Sequence, residues 1–286
     1  MDAATVEVLG RLLESEVVRH SSVGGGCIAD ARRVELADGQ VVFAKSGDRL
    51  PEGLLEVEAE GLRWLGSAEA IALPTVLAVS SDPPLLALSW IDAGPSHPGT
   101  AERFGRSLAG LHAAGAPGFG WHRDGFIGSL PQRNTPLADD WPSFWFPHRI
   151  LPLARSACDR GALSSSAPAL VDRLGDRVDA LAGPPEPPAR VHGDLWSGNV
   201  MVDLGGWPWI VDPAAYGGHR EVDLAMYSLF GSPSSAFFAA YEEVHPLADG
   251  WRERLGLWQL EPLLVHANLF GGGYGAQALD ILRRFA

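Results

Sequence analysis

The sequence predicts an α+β fold of two lobes, in which an antiparallel sheet precedes a mainly helical region. In the first ninety residues, short apolar runs alternate with turn signals, and Asp38-Gly39 between two such runs is typical of a β-hairpin. Later segments, notably 100–114 and 251–286, are predicted to be helical because apolar residues recur in them at helical spacing. We therefore expect an N-terminal lobe over residues 1–91 and a C-terminal lobe over residues 92–286.

Composition narrows the class of protein. The 286 residues carry a net charge of −13, which argues against a general nucleic-acid or anionic-membrane surface. Two cysteines do not make a disulfide framework in a chain of this size, and no apolar run is long enough to span a bilayer. We expect a cytoplasmic protein, and the sequence is silent on its oligomeric state.

The N-terminal lobe is expected to open with a helix over Thr5–Arg19, where apolar residues recur at helical spacing. Three antiparallel strands should follow between Ser22 and Lys45, with a glycine run joining the first two and Lys45 ending the third. A helix over Leu54–Leu65 and strands over Ile71–Val79 and Leu85–Ile91 complete the predicted lobe.

The motif His192-Gly193-Asp194 with Asn199 five residues later has the form His-x-Asp-x-x-x-x-Asn. This is the catalytic-loop pattern of kinase-like phosphotransferases, in which the aspartate accepts a hydroxyl proton and the asparagine binds a metal ion. Asp212 ends a short apolar strand and is predicted to be the second metal ligand. An amide oxygen and a carboxylate suit Mg²⁺, which prefers oxygen ligands and keeps several waters.

Lys45 is the only lysine in the chain, although arginine is frequent. A site shaped for a compact ammonium does not readily accept a planar guanidinium, so this residue is predicted to contact the phosphates of ATP. Three glycines lie upstream and would let backbone amides approach the same phosphates. They are Gly24, Gly25 and Gly26.

A lysine in a cleft needs a carboxylate partner. Glu56, Glu58 and Glu60 all lie on the predicted helix, and Glu58 fits best because it is one turn before Leu62. At the end of the last strand, the backbone groups of a four-residue segment are predicted to meet the adenine edge, although Trp90 could equally belong to the core. The segment comprises Leu88, Ser89, Trp90 and Ile91.

No long activation segment follows Asp212, which favours a small-molecule kinase over a protein kinase. Asp223 is expected to cap or brace a helix under the catalytic loop. Candidate substrate contacts are Trp196, Trp121, Asp124 and His219, of which His219 could instead brace the loop. Cys27 lies beside the glycine run and is either an inert apolar group or a thiol that oxidises when ATP is absent.

The chain resembles the fructosamine kinase (ketosamine 3-kinase) family. The resemblance lies in the residues between Asp194 and Asn199 of the catalytic loop and in the segments around it, and it extends over nearly the whole chain. It implies a bilobal protein-kinase-like fold, ATP with Mg²⁺, and phosphorylation of the 3-hydroxyl of a sugar attached to an amine, free or protein-linked. Ser89 departs from the family, in which a glutamate is frequent at this position. The matching segments are 24–28, 119–121, 192–199, 212–214 and 216–223.

Two alternatives remain open at this point. One is a kinase of another small hydroxylated amine, such as an aminoglycoside or a choline-like compound. The other is a pseudokinase that binds nucleotide and serves as a scaffold, which the presence of all the expected polar groups disfavours.

Overall fold

The computed structural model describes residues 1–24, 29–231 and 233–286. Within these ranges a five-stranded antiparallel sheet with two helices is followed by a mainly helical region. The first helices are α1 (Ala3–Leu12) and α2 (Leu54–Gly66), and the strands are β1 (Val17–Ser22), β2 (Asp30–Leu36), β3 (Val41–Ser46), β4 (Val76–Ser81) and β5 (Pro84–Ser89). Their order in the sheet is β1-β2-β3-β5-β4.

The C-terminal region contains ten helices within the described ranges, interrupted by short two-stranded sheets. A π-helical turn, Phe146–Ile150, links two of the helices, and a 3₁₀ turn, Ser197–Asn199, follows β8. The helices are α3 (Thr100–Ala113), α4 (Trp141–Trp145), α5 (Leu151–Asp159), α6 (Ala167–Gly175), α7 (Val178–Leu181), α8 (Glu221–Leu229), α9 (Ser235–Val244), α10 (Trp251–Trp258), α11 (Leu260–Phe270) and α12 (Tyr274–Phe285). The short strands are β6 (Gly125–Ile127), β7 (Leu130–Gln132), β8 (Ala189–Val191), β9 (Val200–Val202), β10 (Pro208–Ile210) and β11 (Tyr216–Gly218).

The five-stranded sheet is covered on both faces. Side chains of successive strand residues point to opposite faces, so Val34 and Val42 pack with Leu9 of α1, while Leu86 packs with α2 on the other face. Helix α2 buries one face, on which apolar residues recur about one turn apart, and Leu62 lies on this face. This packing fixes the helix that carries Glu58 against the sheet that contains Lys45.

Aromatic side chains fill the core of the second lobe. The dense aromatic face predicted after Asp140 is buried, with Trp145 and Phe144 fully enclosed and Trp145 packed edge-on against Trp258 at 4.9 Å. Asp140 begins α4 as the expected N-cap, because its carboxylate accepts a hydrogen bond from the backbone N–H of Ser143 at 2.9 Å.

The structure corrects three predicted boundaries. Helix α1 ends at Leu12 and not at Arg19, because Glu14 adopts a left-handed φ of 54° and breaks the helix. The β-branched residues that follow then form β1, so the first strand begins at Val17 rather than near Ser22. Strand β4 begins at Val76, after Pro74, and not at the predicted Ile71.

The two lobes meet along a short backbone seam. Ala72 forms an isolated parallel bridge with Trp209, and the N–H of Ile210 donates to the carbonyl of Ala72 at 3.1 Å. The division of the chain at residues 91 and 92 stays a prediction. Among the described residues, no helix has the combined length and apolar character that crossing a lipid bilayer requires.

Candidate active site

The predicted catalytic loop begins where β8 ends at Val191. The chain turns at Gly193, whose φ is +80°, and a Cβ there would lie 2.2 Å from the carbonyl oxygen of Ala214. Only glycine fits both the left-handed backbone and the close approach. The turn delivers Asp194 to the cleft and leads into the 3₁₀ turn that ends at Asn199.

Asp223, in the first turn of α8, holds this loop from below. Its carboxylate accepts hydrogen bonds from the backbone N–H of His192 at 2.7 Å and of Gly193 at 3.0 Å, and His112 Nε2 lies 3.2 Å away. Asp223 is 1% exposed, so these partners replace the water that the carboxylate loses. The structural role expected for Asp223 is confirmed, although its carboxylate bonds to the catalytic loop itself and does not cap α8.

Asn199 and Asp194 contact each other across the loop. The side-chain amide of Asn199 donates to the backbone carbonyl of Asp194 at 2.9 Å and to its Oδ2 at 3.2 Å. Burial and the neighbouring charge of Asp212 raise the pKa of Asp194 to about 7, against the opposing effect of the Asn199 hydrogen bond. A carboxylate poised near neutrality is suited to act as a general base.

The β9–β10 hairpin brings Asp212 to the same place. The N–H of Val211 donates to the carbonyl of Asn199 at 3.0 Å, which ties the segment after β10 to the end of the catalytic loop. Asp212 itself has a φ of +57°, an unusual conformation for a residue with a side chain. Such backbone strain concentrates at functional sites, where the surrounding structure maintains it.

Lys45 joins the two lobes through a pair of carboxylates. Its Nζ lies 2.7 Å from Glu58 Oε1 and 2.8 Å from Asp212 Oδ1. Burial alone would lower the pKa of Lys45, but the two carboxylates outweigh it and raise that pKa above its ordinary value. Glu60, the rival of Glu58, instead forms an ion pair with Arg123 at 2.9 Å.

Asn199 and Asp212 offer side-chain oxygens that suit a divalent cation with a preference for hard oxygen ligands. The amide nitrogen of Asn199 is engaged by Asp194, which leaves its Oδ1 as the free atom. Asp212 Oδ1 takes Lys45, and Oδ2 has no hydrogen bond to any described residue. In the described ranges no three His, Cys, Asp or Glu side chains cluster as a self-sufficient metal cage. An amide oxygen plus a carboxylate is the sparse protein ligand set that suits Mg²⁺ held together with substrate phosphates.

The segment expected to meet adenine divides into two halves. Leu88 pairs with β3 and β4, and the N–H of Ser89 donates to the carbonyl of Thr75 at 2.9 Å, so the sheet uses these backbone groups. The backbone groups of Trp90 and Ile91 bond to no residue in the described part of the chain. They are the members of this segment best able to hydrogen-bond a base.

The structure describes only one of the three glycines that are predicted to contact the phosphates. Gly24 is exposed, and a Cβ there would meet open space. Gly25, Gly26 and Cys27 lie outside the described residues, so their predicted roles and the redox hypothesis for Cys27 stay predictions.

Of the four candidate substrate contacts, the structure corrects two. Trp121 is 6% exposed, and its ring centroid is 5.8 Å from that of Trp64, so it belongs to the core. His219 is 3% exposed and accepts a hydrogen bond from the N–H of Glu221 at Nδ1. Residue type made both side chains candidates for substrate contact, but the sequence does not show whether a side chain faces the cleft or the core.

The other two candidates are exposed. Asp124 Oδ1 accepts from the N–H groups of Asn134 and Thr135 at 2.8 and 2.9 Å, which gives it a structural task in a turn. Trp196 is 40% exposed on the catalytic loop itself. Their contacts with substrate stay predictions.

A pocket beside Asp194 was not found from the sequence. It is enclosed by the catalytic loop, α8 and α11, and its lining includes Met226, Glu261 and His266. Glu261 is buried and lies 3.2 Å from the Nε of Arg149. The sequence does contain one indication of this pocket, because Glu261 is a carboxylate within the apolar run of α11. No local pattern connects this helix to a catalytic loop almost seventy residues earlier.

The whole chain, residues 1–286, matches the family model described as fructosamine kinase. It is 40% identical over 271 residues to a "Probable ketoamine kinase" of Synechocystis, covering 92% of this chain and 88% of that one. It is 35% identical over 270 residues to a chloroplastic "Protein-ribulosamine 3-kinase" of Oryza sativa subsp. japonica, covering 92% and 77% of the two chains.

Among solved structures, a "putative fructosamine-3-kinase" of Thermobifida fusca superposes with a TM-score of 0.92 at 45% identity, covering 99% of this chain and 98% of that one. The bilobal, protein-kinase-like α+β fold expected from the sequence is confirmed. Together with the match over its full length, this similarity shows that the chain belongs to the fructosamine kinase family.

Proposed function

We propose that this protein transfers the γ-phosphoryl group of ATP to a sugar hydroxyl of a ketosamine, the 3-hydroxyl by resemblance. The observation that carries the proposal is the convergence of Asp194, Asn199 and Asp212 with Lys45, linked by the contacts described above. Relatives named as ketoamine and ribulosamine kinases support the acceptor class. Because ATP is available in the cytoplasm, we propose this compartment as the place of action.

Each polar group has a separate task in this reaction. Asp194 orients the acceptor hydroxyl and takes its proton, which a pKa near 7 permits at neutral pH. Lys45, held by Glu58, contacts the phosphates of ATP. Trp90 and Ile91 offer their backbone groups to the adenine ring. Asn199 and Asp212 would hold Mg²⁺, which would supply positive charge to neutralise the phosphates.

A coupled assay of ADP release tests the proposal. We expect the protein to release ADP with fructosyl-, ribulosyl- or erythrulosyl-lysine and to do so far more slowly with choline or an aminoglycoside. Chelation with EDTA should abolish release, and added Mg²⁺ should restore it. Preference for choline or an aminoglycoside would favour the rival small-molecule kinases. ATP binding without ADP release for any acceptor would favour a scaffold.

A further inference from the structure

The pocket beside Asp194 contains, besides the carboxylate of Asp194 itself, a histidine ring nitrogen that no described residue engages. Helix α11 contributes His266, and the catalytic loop contributes Gly193 and Asp194. Most of the remaining lining is apolar, including Val222 and Val265. At about 20 Å³ the pocket has room for a group the size of a hydroxyl, so the state of each polar atom decides which group of a ligand it accepts.

The other two acidic groups of the pocket, Asp223 and Glu261, already have partners, those of Asp223 being the backbone N–H groups of the catalytic loop. Glu261 Oε2 accepts a hydrogen bond from Trp145 Nε1 at 3.0 Å, and Oε1 faces the Nε of Arg149 at 3.2 Å. Both partners are buried, which makes Glu261 a fixed part of the pocket floor. Each of its two oxygens therefore already has a buried partner.

His266 is in the opposite situation. Its Nδ1 lies 2.8 Å from the carbonyl oxygen of Pro262, one turn earlier in α11. A carbonyl oxygen can only accept, so Nδ1 carries the proton, and in the neutral ring Nε2 is an unprotonated acceptor. Burial lowers the pKa of His266, against the opposing effect of the Pro262 contact, which favours this neutral form.

Aromatic neighbours hold the ring in place. The centroid of His266 lies 4.4 Å from that of Phe230 with an interplanar angle of 32°, and 5.0 Å from that of Tyr274. Together with the Pro262 contact, these neighbours restrict the rotation of the ring. Nε2, at the side of the ring away from Pro262, therefore has a defined position without a partner among the described residues.

We propose that His266 is a substrate-binding residue, whose Nε2 accepts a hydrogen bond from a second hydroxyl of the sugar while Asp194 takes the reacting one. This inference rests on the proposed function and extends it to specificity. With two acceptors and an apolar wall, the pocket suits a polyhydroxylated acceptor and disfavours an amine alcohol that has a single hydroxyl. A site built to bond a hydroxyl discriminates against analogues that lack it.

The experiment compares His266→Phe with His266→Gln. Phe keeps an aromatic ring among its neighbours and removes the acceptor, whereas Gln restores an oxygen acceptor near the end of the side chain. We expect His266→Phe to raise KM for fructosyl-lysine about tenfold, the loss of one hydrogen bond, with KM for ATP unchanged. His266→Gln should recover part of this loss. His245→Phe, a partly buried histidine outside the pocket, is the matched control.

Deoxy substrates locate the hydroxyl and guard against misfolding of a variant. Wild-type protein is assayed with the 4-, 5- and 6-deoxy analogues of fructosyl-lysine. For one of these analogues, KM should rise about as much as the His266→Phe substitution raises KM for fructosyl-lysine. With that analogue, His266→Phe should cause no further loss. An unchanged KM for fructosyl-lysine in His266→Phe, equal to that in His245→Phe, would overturn the inference while leaving the proposed function intact. Absence of turnover of all ketosamines by the wild type would instead refute the proposed function.

Discussion

The ammonium of Lys45 lies 2.8 Å from Asp212 Oδ1, although 167 residues separate the two in sequence. This ion pair connects β3 of the sheet to the segment that follows β10. Glu58 holds the same ammonium from the other side at 2.7 Å. The first lobe thus presents its single lysine to the carboxylate that we propose as a metal ligand.

The role of Glu58 can be separated from that of its helical neighbours. We expect Glu58→Gln to lower kcat/KM for ATP about 100-fold, because a lysine without this partner is no longer held at the phosphates. Glu56→Gln, two residues away on the same helix, is the control, since Glu56 forms no ion pair among the described residues. Equal losses in the two variants, measured by steady-state kinetics, would contradict the assignment.

The catalytic turn should not tolerate a side chain at Gly193. Gly193→Ala combines a left-handed φ with a Cβ 2.2 Å from the carbonyl oxygen of Ala214. We expect it to lose activity and about 3 kcal/mol or more of the free energy of unfolding. Gly39→Ala has a similar φ of +88° but open space around the Cβ, and it should cost only about 1–2 kcal/mol. Urea denaturation of both variants checks the difference, and equal costs would show that the close contact is unimportant.

Asp223→Asn tests the brace under the catalytic loop. The carboxylate accepts from two backbone N–H groups on separate oxygens, and an amide offers only one acceptor oxygen. One buried N–H then loses its partner, so we expect a loss of about 2–3 kcal/mol in the free energy of unfolding and a lower kcat. Asp172→Asn, exposed on α6, is the control. A variant as stable and active as this control would remove the bracing role.

Acid stability should depend on His219. Burial lowers the pKa of this histidine in the folded protein, against the opposing charges of Glu221 and Glu186. The unfolded chain, with a pKa of about 6.5, binds the proton more readily. The stability that His219 contributes is therefore fully present above that value and is lost as pH falls through it towards the folded-state pKa.

The melting temperature of wild type relative to His219→Gln should thus stay constant between about pH 7.5 and 8.5, above the unfolded-state pKa. It should decline as the pH is lowered to about 5.5. The difference between the two proteins is the quantity to measure, because other groups, such as Asp194, titrate in the same range. A relative melting temperature that rises on acidification would show that His219 is not held neutral.

The sequence predicted the parts of the site that local patterns encode. The catalytic loop and its following strand gave Asp194, Asn199 and Asp212, and helical spacing selected Glu58 correctly over Glu60 as the partner of Lys45. The structure brings these side chains together, because each pattern depends on residues close together in the chain, and their catalytic and metal-binding roles stay predictions.

Other features depend on tertiary packing and were missed. The end of α1 was placed too late because apolar Val17 continues the helical spacing by chance, while the left-handed backbone at Glu14 breaks the helix. Trp121 and His219 were assigned to the substrate because composition does not reveal which face is buried. His266 went unnoticed because nothing in α11 indicates that it faces the catalytic loop.

The central claim is that Asp194 is the base in phosphoryl transfer. Asp194→Asn and the exposed control Asp179→Asn should be compared for ATP binding by calorimetry and for ADP release with fructosyl-lysine. We predict that Asp194→Asn binds ATP as wild type does and loses at least about 100-fold in kcat, since general bases contribute factors of this size, while Asp179→Asn retains full activity. Turnover by Asp194→Asn at the rate of Asp179→Asn would contradict the account.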